Sequence, residues 1–348
     1  MISFVWSDPL PIYSGRGGSE SFTIGQIREM RERGLEARVI SIGLGKKDGR
    51  QFFRDIPFLD MSKPDGLSEL DDTLVFVSRP IDVKTVRKSY VMLHTQPLAD
   101  PRQKSKYRRL LKDRGIIVNS LFNKRLWTEY LNVHPGRIAV VHPFADPSFA
   151  KVRRSHQVFR GAGRKVRVLY AGRLCSEKGI YILLEALHHK ILKRGYTFTV
   201  TTAGNQTQEG KDIEMMLRAH PRLKVVEARH TPSETAKMFA RHQVVVMPSN
   251  PTFWIEPFGY WRETFGMISV EAQHAGCYVV ASNDGGLKET DCGGLILFEP
   301  ANSYSLALNI QKAAHAGAMT IKQRKEAIKH FTRAESVDAM LAVLKIKD

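Results

Sequence analysis

Two carboxylates eight residues apart, Glu263 and Glu271, frame the most chemically specific segment of this chain. Between them, Phe265-Gly266-Met267 marks the passage from a loop into a helix, whose first amides have no partner within the helix and carry partial positive charge. Glu263 stands before that helix and Glu271 about two turns inside it. Such a pair can hold a sugar and a ribose on either side of a diphosphate seated at the helix start. The glycine between the carboxylates and the apolar run that follows set this pattern apart from a chance spacing.

Two other junctions can receive an anion. Gly15-Arg16-Gly17-Gly18-Ser19-Glu20 follows the first apolar run and opens a helix. Glycines there let the backbone come close to a ligand, although a tight strand–helix turn explains them equally well. In Tyr170–Gly179, Arg173 and Lys178 flank a second strand–loop–helix junction, where Arg suits bidentate phosphate contact and Lys supplies a point charge. A solvated turn is the plain alternative.

The elements that position these residues alternate. Strands are expected at 2–6, 37–42, 73–78, 90–93, 115–119 and 137–141, and a helix at 19–33 with Gly34 just past its end. The second half repeats the plan, with strands at 166–172, 198–204, 223–226, 243–249 and 277–282. Helices are expected at 177–194, 208–219, 232–241, near 265–275, and from 302 onward. This alternation predicts an α/β fold of two doubly wound, Rossmann-like domains on parallel sheets, facing a cleft beyond the strands' carboxyl ends. The expected division is a first Rossmann-like domain at 1–150, a basic linker at 151–165, a second Rossmann-like domain at 166–330, and a C-terminal helix at 331–348 that crosses back to the first domain.

Length and charge agree with that division. The 348 residues suit two domains, and 43% apolar with 25% charged residues is ordinary globular composition. The net charge of +18 favours an anionic partner. Residues 1–165 hold 30 Lys/Arg against 17 Asp/Glu and the remainder 23 against 18, so the positive field belongs to the first half. The three cysteines form no close pair, which argues against a disulfide framework and for a reducing compartment. The N-terminus reads as a buried strand and no apolar run is long enough to span a bilayer, so a cytoplasmic location is expected. Asn205-Gln206-Thr207 matches a glycosylation sequon, read as chance.

GGSE, AGRLCSEKG, MPS and ETFGMISVEAQHAGCYVVASNDGGLKE, in that order, resemble the retaining glycosyltransferases of family 4, which have the GT-B fold and an E-x7-E motif. Residues 116–146 look like the stretch that closes the first domain in that family. The resemblance implies a metal-independent, hexosyltransferase-type enzyme with no cofactor, moving a sugar with retention from a nucleoside diphosphate, UDP or GDP, to an acceptor hydroxyl. Glu263 would contact the transferred sugar and Glu271 the ribose. The backbone of Phe265, Gly266 and Met267 would hold sugar hydroxyls and phosphate. Arg173 and Lys178 would neutralise the diphosphate. Gly17 and Gly18 match a loop meeting donor phosphate and acceptor, and His94 matches a histidine on the donor sugar, where a satisfied core histidine is the alternative. The sequence contains no Asp-x-Asp. Nucleotide choice is expected to depend on residues 225–231.

WIEPFGY (254–260) and WRETFGM (261–267) are near-copies of one signature. Only the second has a glutamate eight residues on, so the first reads as an inserted loop, either self-packed or an aromatic wall for acceptor or nucleobase. Residues 102–125 carry Arg102, Lys104, Lys106, Arg108, Arg109, Lys112, Arg114, Lys124 and Arg125 against Asp113 alone. This reads as a solvated helix face, or as one docking an anionic membrane leaflet or a lipid-linked or phosphorylated acceptor. The acceptor classes left open are lipid-linked, saccharide and small-molecule. The competing function is a basic protein that binds or glycosylates nucleic acid on the same scaffold.

Overall fold

The computed structural model describes residues 1–13, 17–154, 165–203, 207–228 and 231–346. Gly15 and Arg16 of the first glycine-rich junction, most of the expected linker, Asn205 of the sequon, and Arg229 and His230 of the 225–231 loop lie outside them. The chain forms two compact units, residues 1–144 with 333–348, and residues 145–332.

The first unit is built on a parallel sheet of β1 (Ile2–Trp6), β2 (Ala37–Ile42), β3 (Phe58–Met61), β4 (Thr73–Val77), β5 (Tyr90–Leu93), β6 (Gly115–Val118) and β7 (Ile138–Val140), in the order β3-β2-β1-β4-β5-β6-β7. Strands covered on both faces need apolar residues at odd and even positions alike. In β1, Ile2, Phe4 and Trp6 join one core layer and Val5 the other. Its helices are α1 (Gly18–Glu32), α2 (Pro101–Leu111) and α3 (Leu121–Leu131). Gly34 has φ +83°, the left-handed conformation expected where α1 ends.

The second unit carries β8 (Val166–Tyr170), β9 (Tyr196–Thr201), β10 (Leu223–Val226), β11 (Val244–Met247), β14 (Tyr278–Ser282) and β15 (Leu295–Phe298), parallel in the order β10-β9-β8-β11-β14-β15. A separate antiparallel hairpin pairs β12 (Trp254–Ile255) with β13 (Gly259–Tyr260). Around them lie α4 (Pro147–Lys151), α5 (Ile180–Ala186), α6 (Gln208–Ala219), α7 (Pro232–Phe239), α8 (Met267–His274), α9 (Ser303–Ala316) and α10 (Ile321–Ala327). The last helix, α11 (Arg333–Leu344), returns to the first unit. There Val337, Met340, Leu341 and Leu344 enter the core layer of α1, and Arg333 pairs with Glu29 at 2.8 Å.

The boundaries differ from those expected. The first unit ends at 144 rather than 150 because Phe149 of α4 is buried against Phe239 of α7, ring centroids 5.6 Å apart. The start of the expected linker also belongs to the second unit: Arg154 donates to His242 O at 2.6 Å and Ala275 O at 3.2 Å. The predicted helix 177–194 is a short α5 flanked by 3-10 turns at Ser176–Lys178 and Lys190–Leu192.

Candidate active site

The order β8-β11-β14 sets side by side three loops far apart in sequence: 171–179 after β8, 248–266 after β11, and 283–286 after β14. The first loop is braced from β8 and from α6. Tyr170 Oη donates to Arg173 O at 2.9 Å, and Glu209 accepts from Ser176 N at 3.0 Å. Arg173 Nη2 lies 3.2 Å from Glu177 Oε1, a half-exposed cation on a nearly buried carboxylate. Lys178 Nζ donates to Glu263 Oε2, and Ser249 Oγ donates to the same oxygen at 3.4 Å. The Trp261 ring sits against the Lys178 ammonium, 5.4 Å from its centroid. One ion pair thus joins the loops after β8 and β11.

The β14 loop supports Glu263 from its backbone side. Gly286 N donates to Glu263 O at 2.7 Å. A Cβ on Gly285 would stand 2.2 Å from Glu263 O, and one on Gly286 2.1 Å from Thr264 O, so both positions require glycine. Phe265 is buried edge-on against Phe331, centroids 5.5 Å apart, and turns its side chain into the core. Gly266 has φ +98° and caps α8, so the helix begins only at Met267. Glu271 therefore lies about one turn into the helix, a correction to the two turns expected.

The Glu271 carboxyl group has no hydrogen-bond or ion-pair partner among the described residues, while its backbone carbonyl accepts from Ala275 N at 3.0 Å. Desolvation raises its carboxyl to about 8, and the Asp146 carboxylate adds to the rise. The ordinary value is 4.5, so between 4.5 and about 8 the folded chain holds a proton that the unfolded chain has released. Stability contributed through this group therefore falls as pH rises across that window and levels off above it. Glu271→Gln should flatten this part of the melting-temperature profile between pH 5 and pH 9, raising the melting temperature most at the alkaline end. An unchanged slope in the variant would show that the carboxyl is not its source.

In the first unit, Gly17 caps α1 and Gly18 opens it, with the Glu20 carboxylate folded back beside Gly17. His94 follows β5 and is buried edge-on against Phe22, centroids 5.1 Å apart. Burial lowers its imidazole to about 4, so it is neutral at neutral pH.

Across 99% of this chain and 98% of the other, the structure superposes on a glycosyltransferase from Rickettsia africae at 17% identity, TM-score 0.74. The fold is GT-B. HepE of Anabaena, solved in complex with UDP-glucose, matches 99% of the chain and 100% of its own at 18% identity, TM-score 0.66. Residues 165–315 match the family model for Glycosyl transferases group 1. The lipopolysaccharide 1,2-N-acetylglucosaminetransferase of Salmonella typhimurium is 26% identical over 213 residues, 58% of this chain and 53% of that protein. The chain spans about half the length of the curated relatives it matches first.

On this GT-B scaffold, Arg173, Lys178, Glu263, Phe265, Gly266, Met267 and Glu271 all belong to the second unit, and Gly17, Gly18 and His94 to the first. Sequence reasoning missed Glu177, Ser249, Trp261 and Asp146, which hold or tune the named residues. The SEKG and MPS segments contained the first two without showing their roles. The first copy of the duplicated signature is the β12–β13 hairpin. Its Glu256 accepts from Trp254 Nε1 at 3.0 Å, and Trp254 and Tyr260 stand exposed with ring centroids 5.2 Å apart. In the basic run, Arg102 pairs with Asp100 and Arg109 with Asp82, Arg108 donates to Leu131 O, and Arg114 donates to Val83 O. These four cations are engaged within the protein, whereas the ammonium groups of Lys106, Lys112 and Lys124 have no partner among the described residues. No helix among the described residues is long and apolar enough to cross a membrane.

Proposed function

We propose that this protein is a retaining glycosyltransferase that moves a hexosyl group from a UDP- or GDP-sugar to an acceptor hydroxyl. The observation that carries the reading is the Lys178–Glu263 ion pair, formed within a segment that matches the glycosyltransferase family model. Departure of the nucleoside diphosphate builds negative charge, and a site lowers the barrier by having cations and amide dipoles already aimed at it. Arg173, Lys178 and the amides opening α8 are such groups. Glu263, held by Lys178 and Ser249, accepts a hydroxyl of the transferred sugar. Glu271 accepts from the ribose hydroxyls, and loss of its proton then strengthens nucleotide binding as pH rises toward 8.

Glu263, the carboxylate that stands beside Lys178, is engaged by it and by Ser249 rather than free to act as a nucleophile. Retention is therefore assigned to front-face attack, with the departing phosphate oxygen taking the acceptor proton. The names of relatives support a saccharide or phosphorylated polyol as acceptor: a lipopolysaccharide 1,2-N-acetylglucosaminetransferase and a D-inositol 3-phosphate glycosyltransferase.

A donor screen by thermal shift tests the reading. A true donor at 100 times its dissociation constant should stabilise the protein by about 2.7 kcal/mol, and incubation should release its nucleotide. Absence of both across UDP-, GDP-, ADP- and TDP-sugars would refute it.

A further inference from the structure

In the first unit, two segments leave the carboxyl ends of the neighbouring strands β1 and β2, residues 7–13 and 43–57. They are tied together. Ile12 N donates to Asp48 O at 3.3 Å, and Gly49, at φ +101°, comes so close that a Cβ there would stand 2.2 Å from Ile12 O. Beneath them Asp48, fully buried, accepts from Ser41 Oγ at 3.2 Å and from Arg50 Nη2 at 2.7 Å, while Asp60 accepts from Gly45 N at 2.7 Å. Ile12, Phe53 and Ile56 fill the interior.

On this braced base three large apolar side chains point outward. Leu10 is 49% exposed, Tyr13 37% and Phe52 47%, and the Tyr13 and Phe52 rings lie 5.2 Å apart at 59°. Paired aromatic faces fixed at the carboxyl edge of a parallel sheet are where a ligand is expected on such a fold. Charge narrows the ligand class. Of the acids on these loops, Asp48 is bound by Arg50, Asp55 by Arg28 at 2.6 Å, and Asp8 accepts from Leu10 N at 2.9 Å. Lys46, Lys47 and Arg54 are exposed, and their charged groups have no partner among the described residues.

The geometry points to a binding site for an anionic saccharide, with its ring against Tyr13 and Phe52 and its phosphate on Lys46, Lys47 and Arg54. Its role as the acceptor side of a transfer rests on the function proposed above; binding itself does not. A neutral sugar satisfies the rings alone, and inorganic phosphate the cations alone.

Saturation-transfer NMR and calorimetry on the full chain, with hexose 1- and 6-phosphates, the free hexoses and inorganic phosphate as probes, test the assignment. At least one hexose phosphate should bind more tightly than its free hexose and than phosphate, each by about tenfold. Replacing Lys46, Lys47 and Arg54 together by Ser should reduce it to the level of the free hexose, and Phe52→Ser to the level of phosphate. These side chains are exposed, so the variants keep the fold, which circular dichroism checks. Binding of no hexose phosphate, or binding that survives both variants, overturns the assignment. Nucleotide binding by the same preparation reports separately on the transferase reading. Hexose-phosphate binding without it retains this site and removes that reading; the reverse result removes this site alone.

Discussion

Glu263→Gln should lower kcat by about 10²–10³ and leave nucleotide affinity unchanged or slightly raised. Glutamine keeps the size and one acceptor oxygen but removes the charge that holds Lys178 Nζ. Two consequences follow. The sugar loses an ionised acceptor for its hydroxyl, and Lys178 loses the partner that fixes its direction toward the leaving diphosphate. A cation released from a carboxylate remains available to phosphate, so binding of the nucleotide alone does not suffer. Steady-state kinetics beside calorimetry with UDP and GDP separate these effects. The pair also predicts non-additivity: Lys178→Met combined with Glu263→Gln should be little worse than the more damaging single change, since either one already dissolves the pair. Full additivity would mean that the two residues act independently. Collapse of nucleotide affinity with kcat preserved would place Glu263 on the nucleotide instead of the sugar.

Much of this site is non-local, and that decides what a sequence can reveal. The alternation of β-branched runs with amphipathic segments exposed both sheets, because strands buried on two faces are apolar throughout. It missed β3 and β15, which lie at the sheet edges and whose residues are mostly half-buried, so neither a continuous apolar run nor strict alternation marks them. The eight-residue spacing of Glu263 and Glu271 was legible because both belong to one loop-to-helix passage. The start of α8 was not, since the left-handed Gly266 places it later than apolar periodicity suggests. The meeting of Lys178 with Glu263, 85 residues apart, depends on β8 lying beside β11. The fit of Gly285 and Gly286 beneath residues 263–264 depends on β11 lying beside β14. Strand order is not written in any local pattern. Asp146 shows the same limit: as the residue that caps α4 through Ser148 N at 2.9 Å it is readable, but as a neighbour raising Glu271 it is not.

Gly179→Ala should abolish most activity and also unfold the second unit at lower temperature, because one atom meets two obstacles. Gly179 has φ +71°, a conformation that costs an L-residue about 1–3 kcal/mol. Its Cβ would stand 1.7 Å from Pro248 O, a backbone atom that cannot rotate away. Overpacking of this kind adds about 1–3 kcal/mol, and together the terms lower the melting temperature by about 10 °C in a unit of this size. The activity loss arises from position rather than from stability alone. Gly179 follows Lys178 directly, and Pro248 precedes Ser249, so the close approach at 179–248 is what lets both side chains reach the same Glu263 oxygen. Pushing the two backbones apart by an ångström withdraws both, and misplacement on that scale costs about 10²-fold in rate. Gly195→Ala is the matched control. Its φ of +85° imposes similar strain, but no atom lies within 4 Å of the added Cβ. It should lose stability by the conformational term only and retain kcat at temperatures where the protein is folded. Equal losses of kcat in the two variants would mean that strain in the second unit, and not the contact between the β8 and β11 loops, limits the reaction.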